Sequence, residues 1–163
     1  MTSRLSYALH LVTLVLLQAV LFNNICIAGI VNIYIYVYFI LMLPMKTGRS
    51  ALLWAGFGLG IVMDLFSGTL GIHAAATTLT AFLRPYVLSL YASQEEQEKY
   101  APALKYIGGS FVKYAVTLVF IHHFTLFALS AFSLHFLGMA LLKAVASGAV
   151  TSLIIIAVER LKK

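Results

Sequence analysis

The chain has 163 residues, of which 62% are hydrophobic and only 10% charged. A soluble domain is about half apolar and about a quarter charged, and one this small has too much surface to hide the excess in a core. The net charge of +6 would suit nucleic acid, but the basic residues sit at loop positions and form no groove interleaved with stacking aromatics, which excludes that partner.

A bilayer core of about 30 Å takes about 20 apolar residues as a helix. Six segments qualify, the third of them short by this measure, giving an all-α, polytopic six-helix bundle in a single membrane domain over 1–163. The first, 5–22, follows Arg4. It is longer than the apolar run of a cleaved signal peptide, and Cys26-Ile27-Ala28 is a poor cleavage site, so it reads as a retained helix. The second, 25–43, carries Cys26, the single cysteine, which excludes an intrachain disulfide and a cysteine-based metal site. Tyr34, Tyr36 and Tyr38 alternate within it, but the run is too long for a typical strand and reads as helix. The third, 51–66, holds Asp64. The fourth, 70–91, contains Arg84-Pro85, where the missing proline N–H predicts a kink. The stretch "ASQEEQEKYAPALKY" reads as a solvated helical turn before Pro102, then come 107–129 and 136–158. The runs are apolar on all sides, unlike the alternating strands of a barrel, and their short connections predict antiparallel neighbours.

Lys and Arg in the loops set orientation. Arg4, Lys46 with Arg49, Lys99 with Lys105, and Arg160 with Lys162 and Lys163 fall on alternate connections. With six spans they share one side, so both termini are expected in the cytoplasm. These residues can also touch anionic lipid heads.

Asp64, Arg84, Lys113 and Lys143 fall within or at the edge of spans, where an ionisable group costs about 2.5–3.5 kcal/mol at the bilayer centre. Arg84 and Lys113 are placed in the cytoplasmic half and expected to snorkel. Arg84 has the alternative of satisfying carbonyls freed by Pro85, or of sitting in phosphates. Asp64 is the sole acid before Ser93. Gly56, Gly60, Asp64 and Gly68 recur every fourth residue, which places them along one side of a helix. Glycines there admit a close neighbour, so the carboxylate is expected to point into a helix–helix contact. It is expected to clamp the hairpin around "SGTLG", accepting hydrogen bonds from Thr69 or from the N–H groups that open the next helix. Lys143, in the outer half, is a second candidate partner. His73, His122, His123 and His135 all fall on the outer side and read as interface histidines, because adjacent His122 and His123 diverge and no ligand spacing occurs.

The order "GLGIVMD", "SGTLG", then a small-residue helix ending "FLRPY", within six helices and about 160 residues, resembles the MreD family of bacterial rod shape-determining membrane proteins. The family's glycine-containing stretch with an aspartate falls here on Gly60, Asp64, Gly68, Leu70 and Gly71. What the resemblance implies is a non-enzymatic inner-membrane part of the cell-elongation machinery, with no cofactor. It would bind MreC and, through it, couple MreB to RodA and its transpeptidase partner. The motif positions Gly56, Gly60, Asp64, Gly68, Leu70, Gly71, Arg84 and Pro85 would form a structural and interaction core. A homo-oligomer is also compatible with this reading.

Two other classes compete. A substrate-binding subunit of an energy-coupling-factor vitamin transporter has similar length and helix number. Its alanines spaced by four on the first helix are missing here, where only Ala8 and Ala19 occur, and the outer loops are short. An intramembrane enzyme lacks converging carboxylates for a metal. Ser67 with a histidine base would be needed for a protease.

Overall fold

The computed structural model describes residues 3–99, 101–131 and 137–162. In chain order these form α1 (Ser3–Val20), a 3-10 turn (Phe22–Asn24), β1 (Cys26–Ile27), β2 (Val31–Asn32), α2 (Val37–Met42), α3 (Arg49–Ser67), α4 (Ile72–Tyr91), α5 (Gln94–Lys99), α6 (Leu104–Ser130) and α7 (Leu137–Leu161). Among the described residues, four stretches are long and apolar enough to cross a membrane: Ser6–Asn24, Arg49–Ser67, Leu104–Ser130 and Leu137–Leu161. The protein is therefore all-α in class and membrane-embedded. Helix α4 has 20 residues, about 30 Å at 1.5 Å per residue, but threonines and Arg84 dilute its apolar character.

Helix α3 packs on α4, α4 on α6 and α6 on α7, while α1 lies along the outside. Cross-links between helices fix which ends meet. At one end Arg49 lies 5.3 Å from the Tyr86 ring centre, the Leu104 N–H meets Glu159, and Lys105, Lys162 and Ser6 line one cavity. At the other end Asn23 donates to Ser67 Oγ at 3.1 Å. The basic residues Arg49, Lys105 and Lys162 thus gather at one end of the bundle. Helix α5 begins with a reciprocal cap: the Ser93 N–H donates to Glu96 and the Glu96 N–H to Ser93 Oγ.

The expectation of a continuous helix over 25–43 is corrected. Ala28 and Gly29, both at positive φ, form a turn closed by the Ile30 N–H donating to the Ile27 carbonyl at 3.1 Å, and the chain turns β1 back on β2. The chain then re-enters the bundle without forming a helix until Val37. From Ile33 to Leu43 nearly every residue is buried, and Tyr36, Val37, Ile40 and Leu41 have no exposed surface. This segment is the centre of the core, with α3, α4, α6 and α7 around it. Its composition explains the conformation. Val31, Ile33 and Ile35, which lie before the first helical residue Val37, are β-branched and alternate with Tyr34 and Tyr36, a pattern that disfavours helix and favours extended chain.

Non-helical backbone is tolerated at membrane depth only where protein satisfies it. Here side chains do so: the Asn32 N–H donates to Ser147 Oγ at 3.0 Å, the Tyr34 N–H to Thr151 Oγ1 at 3.3 Å, and Gln18 Nε2 to the Ile33 carbonyl at 2.9 Å. Ser147 and Thr151 are four apart, so one face of α7 presents both hydroxyls. Hydrogen-bond partners along α7 advance with the segment, from Asn32–Ser147 to Tyr38–Glu159, so 32–38 runs lengthwise through the bundle beside it. Helix α6 is interrupted at Gly108, whose φ of 52° and ψ of −130° suit only glycine.

Candidate functional site: a clamped helical hairpin over a polar centre

The hairpin of α3 and α4 is built around one carboxylate. Asp64 is 6% exposed. One oxygen accepts from the Thr69 hydroxyl and from the His73 N–H at 3.0 Å, and the other from the Ala74 N–H at 2.9 Å. His73 and Ala74 are the second and third residues of α4, whose N-cap is Gly71 at φ 79°. A glycine cap has no side chain to satisfy these orphan donors, so α3 supplies the cap that α4 lacks. The anion also faces the positive end of the α4 dipole. Both alternatives in the expected clamp are therefore present together.

Below the carboxylate the helices touch through glycine. A Cβ on Gly60 would lie 2.3 Å from Ala74 Cα, and one on Gly56 would lie 2.8 Å from Ala81 Cβ and 2.9 Å from the Thr77 carbonyl. Gly68 departs from the expected row: it is the left-handed C-cap of α3, at φ 65°, with nothing near its Cα hydrogens. Leu70 is 99% exposed at the tip of the hairpin. Lys143 is not the partner of Asp64, whose oxygens are taken as described; it lies half-exposed on α7.

The snorkelling expected of Arg84 is corrected. Its side chain is 1% exposed and donates inward, from Nε to Tyr114 Oη at 2.9 Å, and from the terminal nitrogens to the carbonyls of Leu41, Leu43 and Pro44. These are carbonyls at the end of α2, not those freed by Pro85. Tyr114 Oη in turn donates to the Leu41 carbonyl at 2.9 Å. A helix as short as α2 leaves its last carbonyls unpaired, and a guanidinium fork matches several at once. Arg84→Ala should lower unfolding stability by about 3 kcal/mol, since hydrogen bonds to a charged group are worth about 1.5–3 kcal/mol each. Arg84→Lys should recover only part, because one ammonium cannot replace the fork; thermal denaturation in mild detergent reads both.

Sequence reasoning missed Glu159. It is 5% exposed and accepts from the Leu104 N–H at 3.1 Å, from the Tyr38 hydroxyl, and from Lys162 at 3.2 Å. Leu104 is the first residue of α6, after its Ala103 cap. Among the described residues, the buried acids and bases other than histidine are Asp64, Arg84 and Glu159. Each meets a helix end of the sign that suits it.

The histidines are also corrected. His73, His122 and His123 are 3%, 0% and 0% exposed, so they are core groups rather than interface residues; His135 lies outside the described residues. Tyr36 Oη sits 2.7 Å from His73 Nδ1 and 2.8 Å from His122 Nε2. One hydroxyl donates once, so one histidine must donate to it. Among the described residues His122 Nδ1 has no partner, and a bare lone pair is cheaper to bury than a bare N–H. This assigns the donor order His122 Nε2–H to Tyr36, then Tyr36 O–H to His73. His123 donates from Nδ1 to the Val119 carbonyl at 2.8 Å and accepts at Nε2 from Thr151 at 3.1 Å. Tyr34 packs its ring among all three. The polar centre thus serves the buried extended chain. Ser67 meets Asn23 and not a histidine, and among the described residues no group of three or more acids, histidines or cysteines could hold a metal.

Outside the clamp, α3 and α4 form a groove of about 550 Å³. Its floor is Gly71, Ala74, Ala75 and Thr78, and its walls are Leu53, Phe57, Leu79 and Phe82. Trp54 stands nearby on α3, 73% exposed. Compared with family models, curated proteins and solved structures, the chain matches none.

Proposed function

We propose that the protein is a non-enzymatic component of bacterial lateral-wall synthesis, acting as MreD proteins do by holding and positioning partners in the inner membrane. The buried segment counts as a crossing in this reading, giving six, with the basic end and both termini in the cytoplasm. The observation that carries the proposal is the apolar groove on the α3–α4 hairpin. Small residues on its floor let another transmembrane helix approach closely, which is how helices associate in lipid, and the walls give it a track. The clamp beneath, from Asp64 to the α4 N-terminus, keeps the track rigid. The partner is MreC, whose anchor helix would lie in the groove, and through it MreB, RodA and the elongation transpeptidase.

The test pairs depletion with cross-linking. A photo-reactive residue at Ala75 or Thr78 should cross-link to MreC, while one at Leu153, 67% exposed on α7, should not. Depletion in a rod-shaped host should round the cells. Cells that keep their shape, with no MreC recovered on purification in mild detergent, would overturn the assignment; tight binding of a vitamin by the purified chain would replace it with the transport reading.

A further inference from the structure

Helix α1 stands off from the bundle, and the space behind it at the basic end is a cavity of about 850 Å³. Lys105, Glu159, Lys162, Tyr38 and His10 are among its polar lining, and Leu14 and Phe39 among its apolar lining. A groove of about 330 Å³ shares His10, Leu14, Tyr38 and Lys162 with it and runs along α1, past Leu17 and Val158. A polar mouth therefore opens onto an apolar track along the membrane-facing side.

The mouth is positive. Glu159 is already committed, one oxygen to the Tyr38 hydroxyl and Lys162, the other to the Leu104 N–H. The Lys162 and Glu159 charges cancel, which leaves Lys105, an exposed ammonium resting 4.8 Å from the centre of the Tyr106 ring. Lys162 keeps donor capacity beyond its bonds to Glu159 and Tyr38, since an ammonium has three donors, and it is 41% exposed.

We propose that this crevice is a binding site for one anionic phospholipid. Lys105 and Lys162 hold its phosphate, and an acyl chain lies in the groove between α1 and α7. Charge complementarity selects an anion, and the apolar track selects an anion that carries a chain, which a free phosphate does not. The proposal needs the membrane embedding described above and does not depend on the MreD reading.

Native mass spectrometry of the full chain, released from mixed micelles, tests it. The probes are phosphatidylglycerol and phosphatidylcholine with identical chains. One phosphatidylglycerol should be retained, about tenfold over phosphatidylcholine. Lys105→Gln should weaken retention about fivefold, the worth of one lysine near an anionic surface. Thr13→Trp, which fills the groove from the exposed side of α1, should abolish it, and Leu17→Trp is a second blocking variant, each checked for unchanged melting. Equal retention of the two lipids, or full retention by both folded blocking variants, would overturn the proposal. So would displacement of the lipid by inorganic phosphate, which would give the crevice to a free anion.

Discussion

Asp64→Ala should lower the unfolding free energy in detergent by about 3–5 kcal/mol, because it leaves two buried N–H groups and a hydroxyl without an acceptor, at about 1–3 kcal/mol for each unsatisfied group. The donors are the N–H groups of His73 and Ala74 and the Thr69 hydroxyl. Gly71 cannot substitute for the lost cap. Asp64→Asn keeps one acceptor oxygen but turns an NH₂ group toward donors and removes the charge that the α4 dipole favours. It should cost roughly 2 kcal/mol. Asp64→Glu keeps the charge and adds a methylene where Gly60 already holds Ala74 in close contact. It should lose about 1–3 kcal/mol through overpacking. The order alanine worst, with asparagine and glutamate both impaired, separates a cap from an acid that merely tolerates burial. If asparagine and glutamate both match the wild type in expression and melting, the clamp is wrong.

Gly60→Ala should be more harmful than its single methyl suggests. The new Cβ would lie 2.3 Å from Ala74 Cα and 2.7 Å from both Ala74 N and the His73 carbonyl oxygen. All three are backbone atoms, so no rotamer change relieves the contact and the helices must part. Parting them pulls the α4 N-terminus away from Asp64. The loss should exceed the about 1–3 kcal/mol of ordinary overpacking. Gly58→Ala is the control on the same helix. A Cβ there meets nothing within 4 Å, and alanine is the better helix former by about 0.8–1.0 kcal/mol, so it should leave melting unchanged or raise it. Equal effects at the two positions would show that the seam is not where stability resides.

The clamp was legible in the sequence because it combines two signals. A lone carboxylate in an apolar run needs a partner, and a glycine every fourth residue says on which side a backbone lies. The long helical runs were legible for the same kind of reason. The second hydrophobic segment was misread because apolarity reports burial and not conformation. Its β-branched residues and alternating tyrosines pointed to extended chain, and length alone argued against them. The polar groups that satisfy this chain, Ser147 and Thr151 on one face of α7 and Gln18 on α1, were visible as residues. Their use depends on a segment more than a hundred positions away in the first two cases. Arg84 was misjudged on depth. A buried arginine and a snorkelling one can occupy the same level, and the carbonyls that hold it belong to residues 41–44. Glu159 escaped because it sits near a helix end, where an acid is ordinary, whereas its N-capping of α6 is a tertiary contact.

The same device recurs at each buried charge. Asp64 caps α4, Glu159 caps α6 and Arg84 caps α2. A membrane interior cannot supply water to helix ends, so neighbouring helices supply the side chains. That ties the hairpin, the central segment and the last helix into one unit, and would give the proposed partner helix a firm surface on the α3–α4 groove.

The most direct measurement is a double-mutant cycle between Asp64→Asn and Thr69→Val, with unfolding followed in mild detergent. Valine removes the Thr69 hydroxyl and leaves its N–H, which donates to the Asp64 carbonyl at 3.0 Å. A coupling of about 1–2 kcal/mol is expected for groups sharing one hydrogen-bond network. Strict additivity would mean that the carboxylate does not hold the turn between α3 and α4.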